Sequence, residues 1–197
     1  MKRILTLLVV LMACTSLTAG PILKGMLGYG ILVSPSLPDI SGFTGYEESS
    51  GGLSINAQIL FGESPLNFGA EVGYLSLYSQ KYESPAIPPF IAAYSFESSL
   101  SAIPILGIVQ YTLGDPKGSL KPFLQGGLGF YMTSATATSL GISASSSELD
   151  LGIKLGVGMD YMLSDNLDLD ISLNYYNIFV TGGASTLNLE AGVAFQL

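Results

Sequence analysis

Eight ionisable side chains are the residues of this chain whose types and spacing could do chemistry. They fall at every second position of segments that alternate apolar and polar residues, so each shares the polar face of a predicted strand. They are Lys24, Glu71, Asp150, Lys154, Asp160, Asp168, Asp170 and Glu190. The chain has no histidine, which removes the commonest general base and the commonest metal ligand. Carboxylates and lysines enclosed on one face are expected first to form ion pairs.

One acidic segment has the spacing of a metal-binding loop. Asp168, Asp170 and Ser172 begin a D-x-D-x-S pattern like that of a calcium loop. Leu173 stands where such a loop needs glycine, and Phe179 stands where it needs glutamate. Strand alternation explains this segment better, so we expect no metal, no cofactor and no catalytic residue.

The elements that must position these side chains are strands, because alternation with a period of two recurs along the chain after residue 20. We predict eight strands, at about 21–34, 52–62, 67–79, 99–113, 121–133, 149–161, 167–176 and 187–197. Pro104 lacks a donor for the strand ladder, so a bulge or local break is expected in the fourth strand. Strands of this length exceed those of most globular domains and match the length that a tilted strand needs to cross a bilayer.

The connections between the predicted strands alternate between long and short. Long loops are predicted at 35–51, 80–98 and 134–147, with shorter connections at 63–66, 114–120, 164–166 and 180–186. This asymmetry is typical of an up-and-down barrel whose short turns all lie at one end. Aromatic residues of the long loops could contact a partner or only cap the barrel; they are Phe43, Tyr46, Tyr82, Phe90 and Tyr94.

The first 19 residues have the pattern of a cleavable signal peptide. Lys2 and Arg3 precede an apolar run at 4–13, and small residues lead to a cleavage site between Ala19 and Gly20. Lipidation at Cys14, in a lipobox-like segment, is the alternative. We therefore predict a signal peptide at 1–19 and a barrel at 20–197. Loss of the two basic residues takes the formal net charge from −8 to −10, which disfavours a nucleic-acid partner.

Alternation alone leaves open which face of the barrel is apolar. A soluble barrel would place its leucines inside. However, only 11% of the residues are charged, against roughly 25% in an ordinary soluble domain. Aromatic residues also sit near the strand ends on the apolar face, where membrane interfaces would lie; they are Tyr29, Tyr74, Tyr78, Tyr111, Tyr161, Tyr175 and Phe195. We predict an all-β fold, an eight-stranded antiparallel transmembrane barrel with its apolar face outside.

Several segments resemble the bacterial outer-membrane β-barrel domain family, in its eight-stranded OmpA/OmpX-like group. They are the signal peptide, 27–30, 68–74, 122–130, 156–161 and the terminal strand. The resemblance implies that the barrel-insertion machinery recognises the last strand. Leu197 replaces the terminal aromatic residue that is usual in the family, and Phe195 lies two residues earlier on the same face. Enzymes of such families use a histidine with a serine, and the histidine is missing here.

These observations predict a non-enzymatic protein of the outer membrane of a diderm bacterium. Its interior would be closed by a polar network, and it would serve envelope structure or surface interaction through its long loops. A proton or ion path and acid-base catalysis are the alternatives for the network. A narrow pore or carrier of small hydrophobic molecules is the alternative function, and a soluble periplasmic ligand-binding barrel is the third. Outer-membrane lipid, the insertion machinery and an unidentified surface ligand are the expected partners of a monomer.

Overall fold

Nine strands make up the regular structure of the chain. The computed structural model describes residues 20–34, 47–84, 94–115, 118–139, 142–179 and 183–197. The strands are β1 (Ile22–Ser34), β2 (Glu47–Ser49), β3 (Gly51–Glu63), β4 (Leu66–Ser84), β5 (Tyr94–Thr112), β6 (Leu120–Ser139), β7 (Ile142–Ser164), β8 (Leu167–Ile178) and β9 (Ala184–Gln196). No helix in this part of the chain is long and apolar enough to cross a membrane. The predicted signal peptide lies outside the described residues.

Eight of these strands close into an antiparallel barrel, which confirms the predicted fold. β1 pairs with β3, each strand from β3 to β8 pairs with the next, and β9 pairs with β1. The short β2 pairs with β4 beyond the end of the ladder between β3 and β4. The pairing of Ile22 with Gln196 brings both ends of the described chain to one end of the barrel. The turns at 64–65 and 165–166 lie at this same end, which we call the turn side. The opposite end is the loop side.

The apolar face of the barrel points outward. Along β1, Leu23, Leu27 and Tyr29 are exposed, whereas Lys24 and Met26 are buried in the interior. The same inversion holds around the barrel, where the buried set includes Asn56, Gln58, Glu71, Lys154, Asp170, Asn174 and Glu190. An apolar band outside a closed barrel is the surface that lipid contacts. The soluble barrel considered as the third possibility is therefore wrong.

Four strands extend past the others on the loop side, where the sequence predicted loops at 80–98 and 134–147. The ladder of β4 with β5 continues to the pair Ser84–Tyr94, and that of β6 with β7 continues to Ser139–Ile142. The prediction of loops there was wrong for 80–84, 94–98, 134–139 and 142–147, all of which are strand. Residues 142–149 are exposed on both faces, so no burial pattern marked them as strand.

Pro104 does not shift the register of β5. Its pairing with Tyr131 lies within an unbroken ladder between β5 and β6. On the other side, the ladder between β4 and β5 passes from Val72–Ile105 to Leu75–Ala102 without the intervening pairs. The interruption is thus confined to one side of the strand. The register shift between these two strands lies higher, between Ser76 and Tyr78.

We expect Leu155→Arg to lower the free energy of unfolding by about 2–4 kcal/mol, because it places a charge in the middle of the lipid-facing band. Leu155 is 56% exposed and lies midway along the outward residues of β7. Ser143→Arg, in the exposed part of the same strand, is the matched control and should change stability by less than about 0.5 kcal/mol. Denaturant unfolding in lipid vesicles, followed by heat-modifiable gel migration, measures both. Equal losses would contradict the assignment of the outer face.

Candidate functional site in the barrel interior

The first buried charge cluster lies toward the turn side and centres on Lys24 of β1. The Lys24 ammonium donates to both carboxylate oxygens of Asp160, at 2.9 and 3.0 Å, and to Oδ2 of Asp170 at 2.6 Å. The two aspartates face each other across β7 and β8. The ring of Phe123 completes the site, with its centroid 4.4 Å from Lys24 Nζ. One ammonium thus serves two carboxylates and joins β1 to β7 and β8, neither of which is its neighbour in the barrel.

The second cluster lies near the middle of the barrel and centres on Glu71 of β4. Lys154 Nζ donates to Glu71 Oε2 at 2.5 Å, and both side chains are fully buried. Gln58 Nε2 donates to the same oxygen at 2.6 Å. The Tyr176 hydroxyl lies 3.2 Å from Glu71 Oε1 and 3.3 Å from Glu190 Oε1. The hydroxyl therefore connects the two glutamates across the lumen.

Amide side chains hold Glu190 where no lysine reaches it. Asn56 Nδ2 donates to one carboxylate oxygen at 2.7 Å, and Asn174 Nδ2 donates to the other at 2.9 Å. Two glycines make room for these amides. A Cβ at Gly73 would lie 1.9 Å from Asn56 Oδ1, and one at Gly156 would lie 2.2 Å from Asn174 Oδ1. Substitution of either glycine would displace a donor that Glu190 needs.

Apolar side chains fill much of the lumen on the loop side of these clusters. The buried apolar set contains Leu60, Leu75, Leu77, Ala102, Leu106, Ile108, Tyr131, Tyr176, Ile178 and Ala184. Apart from Leu60 and Ile108, which lie toward the turn side, its members come from the middle and the loop-side ends of their strands. An eight-stranded barrel has an interior that side chains can just fill. Charged clusters and apolar residues therefore follow one another along the interior.

The structure brings six of the eight predicted lumen residues into these two clusters. The other two lie nearer the ends of the barrel and are half-buried. Asp168 pairs with Lys121 at 2.9 Å on the turn side, and Asp150 accepts from the Thr133 hydroxyl at 2.9 Å on the loop side. The prediction did not name Tyr176 or Lys121. The alternation that placed Asp170 inside also places Tyr176 inside, so that signal was present.

Of the five predicted loop aromatics, only Tyr82 has its side chain in the described part of the chain. Phe43, Tyr46 and Phe90 lie outside the described residues, as does the side chain of Tyr94, whose backbone begins β5. Tyr82 is in β4 and not in a loop. It stacks on Phe96 of β5, with ring centroids 5.2 Å apart. Tyr82 is therefore half-buried in a cross-strand pair, which corrects its placement in a loop.

Each cluster combines one lysine with two carboxylates, and its ion pairs run across the lumen between strands that are not neighbours. Buried carboxylates need such partners, because an isolated charge in a low-dielectric interior is costly. In the described part of the chain, no group of three or more His, Cys, Asp or Glu side chains could hold a metal ion. What this geometry does chemically is cross-link the walls and occupy the lumen with paired polar groups.

We expect Lys154→Met to lower the free energy of unfolding by about 3–5 kcal/mol, because it leaves Glu71 buried without its cation. The double variant Lys154→Met with Glu71→Gln should recover most of that loss. As a control, Lys121→Met removes the lysine of the half-buried pair with Asp168 and should cost at most about 1 kcal/mol. Unfolding by denaturant in lipid vesicles measures all three. Strictly additive losses in the double variant would show that the two side chains are not coupled.

Comparison with known proteins shows the family to which this barrel belongs. The chain matches the model of the family described as outer membrane protein beta-barrel domain over residues 5–196. It is 27% identical over 135 residues to outer membrane protein W of Vibrio cholerae serotype O1, a match that covers 60% of this chain and 61% of that protein. The matched region therefore spans less than two thirds of that relative's length.

Two solved structures share the fold. Neisserial surface protein A is similar with a TM-score of 0.53 and 16% identity, over 91% of this chain and 98% of that one. The attachment invasion locus protein Ail of Yersinia pestis, in complex with the heparin analogue sucrose octasulfate, is similar with a TM-score of 0.51 and 14% identity, over 89% and 99%. Identities this low show the fold alone. Because the family match covers nearly the whole chain, and because the structure is a closed barrel with an apolar outer face, this chain belongs to the outer membrane protein beta-barrel domain family and is an outer-membrane protein of a Gram-negative bacterium.

Proposed function

We propose that this protein is not an enzyme and that it binds protein partners at the cell surface through the part of its sheet beyond the barrel. The observation that carries the proposal is the free edge of β7. From Gly152 to Tyr161, in the barrel wall, β7 pairs with both β6 and β8, but from Ile142 to Asp150 its ladder is with β6 alone among the described residues. Nine residues of strand, about 30 Å long, thus offer unpaired backbone groups on one side.

The sequence of this edge supports strand addition by a partner. Natural sheets usually protect an exposed edge with charged residues, proline or a bulge. Residues 142–147 read ISASSS and contain neither charge nor proline. An extended peptide could therefore pair with them through main-chain hydrogen bonds, which is a recurrent form of protein recognition.

The charge of the projecting sheet disfavours a polyanionic partner. Charged residues in the strand segments 47–49, 79–84, 94–99, 134–139 and 142–150 are Glu47, Glu48, Lys81, Glu83, Glu97, Glu148 and Asp150. Six acidic residues against one lysine would repel a sulfated ligand such as the heparin analogue bound to Ail. The proposed partner is therefore an extended protein segment and not a sulfated glycan.

Other partners follow from the barrel itself. We propose that outer-membrane lipid surrounds the apolar band and that the barrel-insertion machinery recognises the terminal strand β9, which carries Phe195 on its outer face. A closed barrel leaves no free strand edge within the membrane, so the monomer is a complete unit.

A second candidate function is a narrow pore or a carrier of small hydrophobic molecules. The buried apolar cluster around Leu75, Leu77 and Ile178 favours it, because an apolar section of the lumen could accept an apolar solute. These side chains pack against one another, so transport would require them to move apart. The proposal for surface binding needs no such rearrangement.

Shortening the β6–β7 hairpin tests the surface role. Deletion of 135–139 together with 142–146 removes matched pairs, keeps residues 140–141 between the two strands, and leaves Ser134 opposite Ser147. We expect intact cells that display this variant to lose attachment to host-cell monolayers and protein-coated glass, while heat-modifiable migration shows an intact barrel. Attachment equal to that of the full-length protein would contradict the proposal.

A pair of single substitutions separates the edge from the hairpin as a whole. Ser145→Lys places a charge on the free edge, which should block strand addition and reduce attachment. Thr136→Lys is the matched control, because Thr136 lies directly opposite Ser145 but in a strand that is paired on both sides. Attachment should fall for the first variant and persist for the second. Equal losses would indicate a general effect of charge.

Conductance distinguishes a closed barrel from a pore. Because the Lys24 and Glu71 clusters bridge the lumen, we expect no steady conductance from the purified protein in planar lipid bilayers. Double substitution of Glu71 and Lys154 by alanine should allow transient openings, because it removes the central cross-link. Steady conductance of the unsubstituted protein would favour the second candidate function.

A further inference from the structure

We infer that a pocket at the turn-side mouth of the barrel binds a small aliphatic polyamine. The pocket has a volume of about 350 Å³, at the lower end of the range for small-molecule sites. It is lined by strand ends and the β3–β4 turn, and it includes Glu63, Asn67, Thr112, Lys121, Asp160 and Asp168. Behind it, toward the interior, lies the contact of Lys24 with Asp160 and Asp170. The pocket lies on the turn side of this contact.

Two polar side chains reach into this pocket. Asn67 is 4% exposed and Thr112 is 6% exposed, and both line the cavity. Neither side chain makes a hydrogen bond to another group in the part of the chain that the structure describes, and neither is among the fully enclosed groups that lack a partner. Water in the cavity can therefore satisfy them until a guest replaces it. These two are placed to accept hydrogen bonds from a guest that carries its own donors.

The charges around the pocket select a cation. Three carboxylates line it, those of Glu63, Asp160 and Asp168, against the single ammonium of Lys121. Asp160 also pairs with Lys24, which in turn pairs with Asp170. With these two groups included, four carboxylates face two lysines, so two carboxylates remain in excess. An anionic or neutral guest would not relieve this excess.

The spacing of the acidic groups selects an organic cation over a metal ion. In the described residues, no three His, Cys, Asp or Glu side chains lie close enough together to hold a metal. A chain with two or three primary ammonium groups can instead reach separate carboxylates, and its N–H groups can donate to the carbonyl of Asn67 and the hydroxyl of Thr112. Its carbon links would pass Ile22, which also lines the pocket.

Calorimetric titration of spermidine into the full barrel, refolded in detergent micelles at low salt, tests the assignment. We expect saturable binding of one molecule per barrel. Thr112→Val preserves shape and charge, and loss of one hydrogen bond should weaken binding about fivefold. Glu63→Gln removes an exposed charge and should weaken it about threefold. Glu148→Gln, the control, removes an equal charge at the opposite end and should leave affinity unchanged.

Four results would overturn the assignment. The first is the absence of saturable binding, and the second is unchanged affinity in Thr112→Val when gel migration shows that the variant is folded. The third is equal weakening by Glu148→Gln and Glu63→Gln, which would indicate long-range attraction to an acidic protein. The fourth is displacement of spermidine by equimolar magnesium or tetraethylammonium, because neither ion can donate N–H hydrogen bonds to Thr112.

Discussion

The barrel depends on one constraint, which is that every backbone N–H and C=O group within lipid must find a partner in the protein. The chain meets it by pairing each strand with two neighbours and by joining β1 to β9. Closure then fixes the rest of the arrangement, since alternate side chains of each strand must point into the lumen or into lipid. Leu23 and Lys24, adjacent in sequence, thus lie in opposite environments.

A lumen this narrow imposes a second condition on the polar face. Its charges cannot rely on bulk water, so each carboxylate must be paired within the protein. Lys24 and Lys154 each serve a carboxylate on a strand that is not a neighbour, and amides of Asn56 and Asn174 hold Glu190. The same contacts that satisfy the charges therefore connect opposite walls.

The sequence predicted the strands whose two faces lie in different environments. Where one face of a strand meets lipid and the other meets the lumen, alternation showed both the strand and its inward residues, including Lys24 and Glu71. Residues 142–147 are exposed on both faces, so they carry no alternation and were predicted as a loop. Partners across the lumen were also beyond the sequence, because the contact of Lys154 with Glu71 depends on strand tilt and on separations that no local pattern records.

The two proposed binding surfaces lie at the two ends of the barrel, outside the section that lipid surrounds. Beyond the membrane, water can satisfy backbone groups, so β7 is free to continue with one edge unpaired. At the turn side, the side chains of Asn67 and Thr112 line a cavity. Between them lie the Lys24 and Glu71 clusters, whose ion pairs cross the lumen. Binding at one end is therefore expected to be independent of binding at the other, because these cross-links separate the two surfaces.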